Sequence, residues 1–182
     1  IFLILMVAAG ASESTMAQWS SAFAEDSLGV DKVVGDLAGP CGFAFCMGLG
    51  RLWYGKKGQK LDLLVYMLGS GIMCFAAYLV ASLSSVPFVS LAACMVSGLS
   101  VGIMWPGSIS ITSARIPKGG TALFALLALA GDMGGTLGPS LVGFCTDRIG
   151  DDIQNGLLAA TVFPVILVLS LVCIRYRSPK VE

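Results

Sequence analysis

Histidine is absent from this sequence. With it go the commonest metal ligand and the side chain that most often moves protons near neutral pH. Charge is scarce: only 12% of residues are Asp, Glu, Lys or Arg, about half of what a soluble domain carries. The 11 basic and 11 acidic residues cancel, so the balance points to neither nucleic acid nor a strongly acidic partner. The six cysteines (Cys41, Cys46, Cys74, Cys94, Cys145 and Cys173) stand singly in apolar stretches. They lack the paired spacing of a metal or redox motif and read as small buried hydrophobes. There is no nucleophile elbow, phosphate loop or metal-ligand spacing, so no enzymatic activity, metal or cofactor is expected.

What is present is apolar surface. Hydrophobic residues make up 56% of the chain and the mean hydropathy is +0.87, which makes this an integral membrane protein. About 20 mostly apolar residues cross the hydrocarbon as a helix. Six stretches meet that test: residues 1–24, 33–53, 61–82, 87–113, 121–145 and 156–174. Their connections are too short to hold a soluble domain, so the expected fold is a single all-α polytopic bundle in contact with the lipid bilayer. The apolar run IFLILMVAAG begins at Ile1 without a starting Met, a basic leader or a cleavage site. The expectation is a fragment that begins inside a helix, with further chain upstream.

Basic residues set the orientation. Arg51, Lys56, Lys57 and Lys60 follow the second stretch, Arg115 and Lys118 the fourth, and Arg175, Arg177 and Lys180 the sixth. The alternate connections hold only Lys32 and Arg148, beside Glu25, Asp26, Asp31, Asp147, Asp151 and Asp152. Positive charge stays on the cytoplasmic side, so both ends are expected there. Six crossings require the two ends to share a side, which agrees.

Glycine is abundant, with 23 residues. Gly131 with Gly135, Gly134 with Gly138, and Gly98 with Gly102 form GxxxG pairs, which let helix backbones approach closely. Pro40, Pro106 and Pro139 fall inside spans and remove a backbone hydrogen bond each. Trp105-Pro106-Gly107 is the expected bend.

These features together resemble the major facilitator superfamily of transporters, specifically its carboxy-terminal six-helix half. The resemblance rests on six spans with both ends inside and on the basic loop GRLWYGKKGQK after the second. It rests also on the proline-bearing GIMWPGSISIT in the fourth and the glycine-rich GDMGGTLGPSLVGFCTDRIGD in the fifth. The acidic GASESTMAQW of the first span is similar to the fucose permease-like branch. The family's loop motif carries an Asp where this loop has Tyr54 and Gly55, while GFCTDRIG fits that motif on the opposite side. The resemblance implies an amino-terminal six-helix half as partner, around a shared central cavity. It implies also that Arg51, Lys56, Lys57 and Lys60 form a cytoplasmic gating loop. Headgroup contact and orientation are the alternative reading of those lysines.

Ionisable groups within a span are costly and mark function. Glu13 lies about halfway along the first span. Ser14, Gln18 and Ser21 step along one stripe, and Glu13, Ala17 and Ser20 along its neighbour, a polar face that must meet protein or water. The expected role is a cavity wall that hydrogen-bonds a hydroxyl-rich solute; a Glu satisfied by neighbouring helices is the alternative. Asp132, among the glycines of the fifth span, reads equally as a substrate or proton site and as a buried structural carboxyl. Asp36, near a helix start, reads as stabilised by the helix dipole. No basic residue lies deep in a span, so Glu13 and Asp132 are expected to lack a cationic partner, which is the chemical basis for proton coupling. Trp19, beside the polar stripe, and Trp105, beside the proline, are the aromatics expected to line the cavity. Trp53 and Tyr54 read as interface anchors.

The expected function is a secondary transporter in the cell membrane, moving a small polar solute, a sugar, by alternating access with proton symport. A proton-coupled drug or metabolite exporter and a non-transporting six-helix scaffold are the alternatives.

Overall fold

A computed structural model describes residues 1–150 and 152–176, apart from the side chain of Gln59. Asp151, Arg177 and Lys180 of the charge bias lie outside the described residues. All regular structure among the described residues is helical, as apolar surroundings demand: helices pair every backbone group within one segment.

The first rod is α1 (Phe2–Ala22), extended by a wider π-type turn over Phe23–Ser27. The second comprises α2 (Lys32–Asp36), a π-type turn over Leu37–Cys41 and α3 (Gly42–Lys57), and Lys60 closes a short 3-10 turn after it. Then come α4 (Leu63–Leu83), α5 (Pro87–Val101) with α6 (Met104–Arg115), α7 (Gly120–Arg148), and α8 (Ile153–Ala160) with α9 (Val162–Tyr176). Five rods are long and apolar enough to cross a membrane: Lys32–Lys57, Leu63–Leu83, Pro87–Arg115, Gly120–Arg148 and Ile153–Tyr176. The expected first span is not among them. α1 has the length, but Ser12, Glu13, Ser14, Thr15 and Gln18 dilute its hydropathy.

Prolines explain where the rods break. Pro40 lies in the π-type turn of the second rod. The bend expected at Trp105-Pro106-Gly107 falls earlier, at Gly102 and Ile103, and Pro106 sits in the first turn of α6. A proline clashes with the carbonyl four residues before it, here Gly102, so the ladder gives way at that residue and not at the ring itself. α7 runs through Pro139 without interruption.

Small residues set the packing. A Cβ built on Gly10 would lie 2.1 Å from the Gly131 carbonyl oxygen, and one on Gly134 would lie 2.0 Å from that of Val7. α1 and α7 therefore touch backbone to backbone. α3 and α5 do the same through Gly50 against Leu99 and Gly98 against Phe43. Around these seams Leu5, Met16, Phe23, Met67, Tyr78 and Leu167 form one continuous core. The buried Tyr78 hydroxyl donates to the Ser12 carbonyl at 2.7 Å, joining α4 to α1. Cys74 and Cys94 are buried as expected, but Cys41 and Cys173 are exposed on the outside of the bundle. A thiol is apolar enough to occupy a surface that hydrocarbon covers.

Loop acids cap and tie the rods. Asp31, Asp62 and Asp152 accept from the first backbone N–H groups of α2, α4 and α8. Asp152 also accepts from Ser27 Oγ at 2.8 Å, and the Gln154 amide donates to the Ser84 carbonyl at 3.0 Å. Asp36 accepts from Ser21 Oγ, pinning the end of α1 to the second rod.

Candidate functional site

Glu13 occupies the middle of α1 and Arg51 the later part of α3. The expectation that Glu13 has no cation nearby is overturned: Arg51 Nη2 lies 3.7 Å from Glu13 Oε1. Linear position hid this, because Arg51 precedes the lysines of the basic cluster and reads as one of them. It is helical, and its long side chain extends away from its own backbone.

The same guanidinium donates from Nε to the Gly102 carbonyl at 3.1 Å. That carbonyl is the one Pro106 cannot serve, because the missing proline N–H would have been its helical donor. Arg51 thus replaces a backbone hydrogen bond in the broken α5–α6 rod while facing Glu13 with its other end. A third contact runs from Nη2 to Met47 Sδ, at 3.6 Å, one turn earlier in α3. Gly102 is what lets α3 come close enough, since a Cβ there would meet the Met47 carbonyl oxygen at 2.8 Å. The side chain of Glu13 is 23% exposed and that of Arg51 48%, so the attraction is partly screened and worth about 1 kcal/mol or less. Glu13 Oε2 is buried without a hydrogen-bond partner among the described residues.

The polar face of α1 is narrower than its sequence implies. Ser12 is fully buried, with its hydroxyl donating to the Ala8 carbonyl of its own helix at 2.8 Å. Thr15 and Ser20 are buried too, at the points where Gly138 and Gly39 bring neighbouring backbones against α1. Glu13, Ser14 and Gln18 remain at least partly open. Ser14 lies against Gly135, and Gln18 and Trp19 line a shallow groove of about 450 Å³ with Pro139, Ser140 and Gly143.

Trp19 is held within that groove: Nε1 donates to the Pro139 carbonyl at 3.0 Å. Trp19→Phe keeps an aromatic six-membered ring and loses the pyrrole ring that makes this bond. The expected result is a drop of about 1 kcal/mol in stability, read as a lower melting temperature in detergent. Trp105 is half-buried and packs its six-membered ring over Gly131, where a Cβ would meet it at 2.5 Å. It joins Met6 and Leu127 in a second small core.

Asp132 is not the buried structural carboxyl that its glycine neighbours suggested. Gly134 and Gly138 turn toward α1 and Gly131 toward Trp105 of α6, while Asp132 is exposed, with no ion pair among the described residues. Lys56 and Lys57 are also helical, in the last turn of α3, and exposed with Lys60 at the end of that rod. Next to them a hollow of about 310 Å³ is lined by Arg51, Tyr54, Pro106 and Ser110. No three metal-binding side chains come together among the described residues.

An all-helical bundle with five rods long and apolar enough to cross a bilayer is a multi-pass membrane protein. The chain belongs to the Major Facilitator Superfamily, whose family model matches residues 1–182, and members of that family are membrane transporters rather than enzymes. No curated protein and no solved structure matches it.

Proposed function

We propose that this chain is the carboxy-terminal six-helix half of a proton-coupled symporter in the cell membrane. It carries a small polar solute, a sugar of the kind taken by the fucose permease-like branch, by alternating access. In this reading α1 crosses the membrane as the first of six spans, both ends lie in the cytoplasm, and an amino-terminal half completes the cavity. The location of Ile1, Phe2, Arg115 and Ile174 around one hollow supports a common end for the first, fourth and sixth spans.

The observation that carries the proposal is the contact of Arg51 with both Glu13 and the Gly102 carbonyl. An ionised Glu13 attracts the guanidinium. A protonated one no longer does, and Arg51 is left with the broken rod alone. Proton binding at Glu13 is thereby linked to the element best suited to bend, because its continuity depends on a side chain. Solute hydroxyls find donors and acceptors at Ser14 and Gln18, and sugar rings find flat faces at Trp19 and Trp105. Asp132 supplies a second carboxylate on the open surface.

Glu13→Gln keeps the shape and removes the titrating group. In the full-length protein reconstituted in vesicles, solute-driven proton uptake is expected to vanish while solute exchange persists. Proton uptake at the wild-type ratio would rule out Glu13 as the coupling site.

A further inference from the structure

A second site lies on the outside of the bundle, between α3, α4 and α5. It is a groove of about 920 Å³, lined mainly by apolar side chains that include Leu49, Leu52, Trp53, Val65 and Leu99. None of its lining belongs to α1 or α7, so it is separate from the polar wall around Glu13. The ring of Tyr66 stacks on both Trp53 and Tyr54, at 5.4 and 5.1 Å between centroids, and braces one end.

That end is also the charged one. Lys56 lines the groove, and Lys57 and Lys60 follow within the same turn and the next. The one acid in the lining, Asp62, is engaged in capping α4, accepting from Leu64 N at 2.9 Å and Val65 N at 3.3 Å. An apolar groove that ends on aromatic rings and the Lys56 ammonium, with Lys57 and Lys60 close by in the chain, matches one kind of molecule. It has a hydrocarbon tail, an amphipathic boundary and a negative head. Tryptophan and tyrosine settle at that same boundary in a bilayer, and lysine clusters just beyond it attract anionic headgroups.

We propose that this groove binds one anionic phospholipid. An acyl chain lies along Leu52, Val65 and Leu99, and the phosphate is held by Lys56 with support from Lys57 and Lys60. A polar solute of the transported kind would have to lie against a mainly apolar lining here. A neutral lipid would fill the apolar part and leave the lysines unpaired. The site holds whatever the transported solute is, so it stands apart from the symport reading.

Gly69 offers a way to close the groove without disturbing the fold. It lines the groove, and a Cβ built on it meets nothing within 4 Å. The full-length protein in mild detergent is offered equal amounts of phosphatidylglycerol and phosphatidylcholine with identical chains, and retained lipids are counted by native mass spectrometry. Each lysine near an anionic head contributes roughly a fivefold gain, so retention of one phosphatidylglycerol in large excess over phosphatidylcholine is expected. The triple variant Lys56→Gln, Lys57→Gln, Lys60→Gln is expected to hold the two lipids equally and weakly. Gly69→Leu is expected to lose that single molecule of either lipid at an unchanged melting temperature. Val65→Trp, which fills the same groove from an exposed position, decides the matter if Gly69→Leu melts early. Equal retention of both lipids by the wild type, a preference that survives the triple variant, or a lipid that stays bound in a plugged and folded variant would each overturn the assignment.

Discussion

Replacing Gly134 with alanine is expected to destabilise the protein more than any other single methyl addition in the core. The new Cβ would lie 2.0 Å from the Val7 carbonyl oxygen and 2.9 Å from the Ala11 nitrogen. Both atoms belong to the backbone of α1, so no change of rotamer relieves the overlap, and the two helices must separate. Overpacking a tight core costs about 1–3 kcal/mol. Here the separation also loosens Gly10 from Gly131 and Gly138 from Ala11, which share the seam, so the upper end of that range or beyond is expected. Gly48→Ala is the control, because a Cβ on Gly48 meets nothing within 4 Å. Alanine is the better helix former by about 1 kcal/mol, so this variant is expected to match or exceed the wild type. Thermal unfolding in detergent distinguishes the two. A Gly134→Ala protein that melts with the wild type would mean that α1 and α7 do not approach as closely as described.

Arg51→Lys is expected to slow the proposed coupled transport more than tenfold although it preserves the charge. Arginine reaches the Gly102 carbonyl with Nε while Nη2 faces Glu13, two directions set by one rigid plane. A lysine ammonium is a single point and serves one partner or the other. Losing a charge-assisted hydrogen bond to a partly buried carbonyl costs about 2 kcal/mol. Transport is therefore expected to fall by more than tenfold, with the loss concentrated in turnover rather than in solute affinity. The double variant Glu13→Gln, Arg51→Gln separates pairing from support. If the residues act as a unit, the second substitution adds little to the first, because contacting residues are not additive. Wild-type turnover in Arg51→Lys would show that the bridge between Glu13 and Gly102 has no part in transport.

The bundle was legible in the sequence where the bilayer dictates it. Hydrocarbon accepts only long apolar helices, so the five apolar rods stand out from composition and length alone. The glycine seams were legible as motifs but not as pairs. Gly98 and Gly102 announce a close approach, and nothing in their spacing says that α3 is the helix that comes near. The bend was misplaced by a few residues because the ring of Pro106 is visible in the sequence and its damage, at Gly102, is not. For Asp132 the sequence leaves two readings open for a related reason: glycines on either side do not reveal which of them faces the neighbouring helix, and its exposure removes only the buried structural one. Arg51 was the largest miss. Its partner is on another helix, and the register between α1 and α3 is a tertiary fact that no period in the sequence encodes. One signal was present. Pro106 orphans the Gly102 carbonyl, an orphaned carbonyl within an apolar bundle needs a donor, and arginine is the richest donor in the chain.

The weak hydropathy of α1 bears on how the molecule is made. The polar residues in its middle make this helix a weaker membrane span than the five apolar rods, whereas its backbone seam with α7 packs it tightly. The two partners are far apart in the chain: Trp19 on one bonds Pro139 on the other across 120 residues. During synthesis α1 therefore leaves the ribosome long before its main support exists. The seam closes only once α7 has been made, so a ribosome stalled before α7 would hold a nascent chain whose α1 still lacks that support.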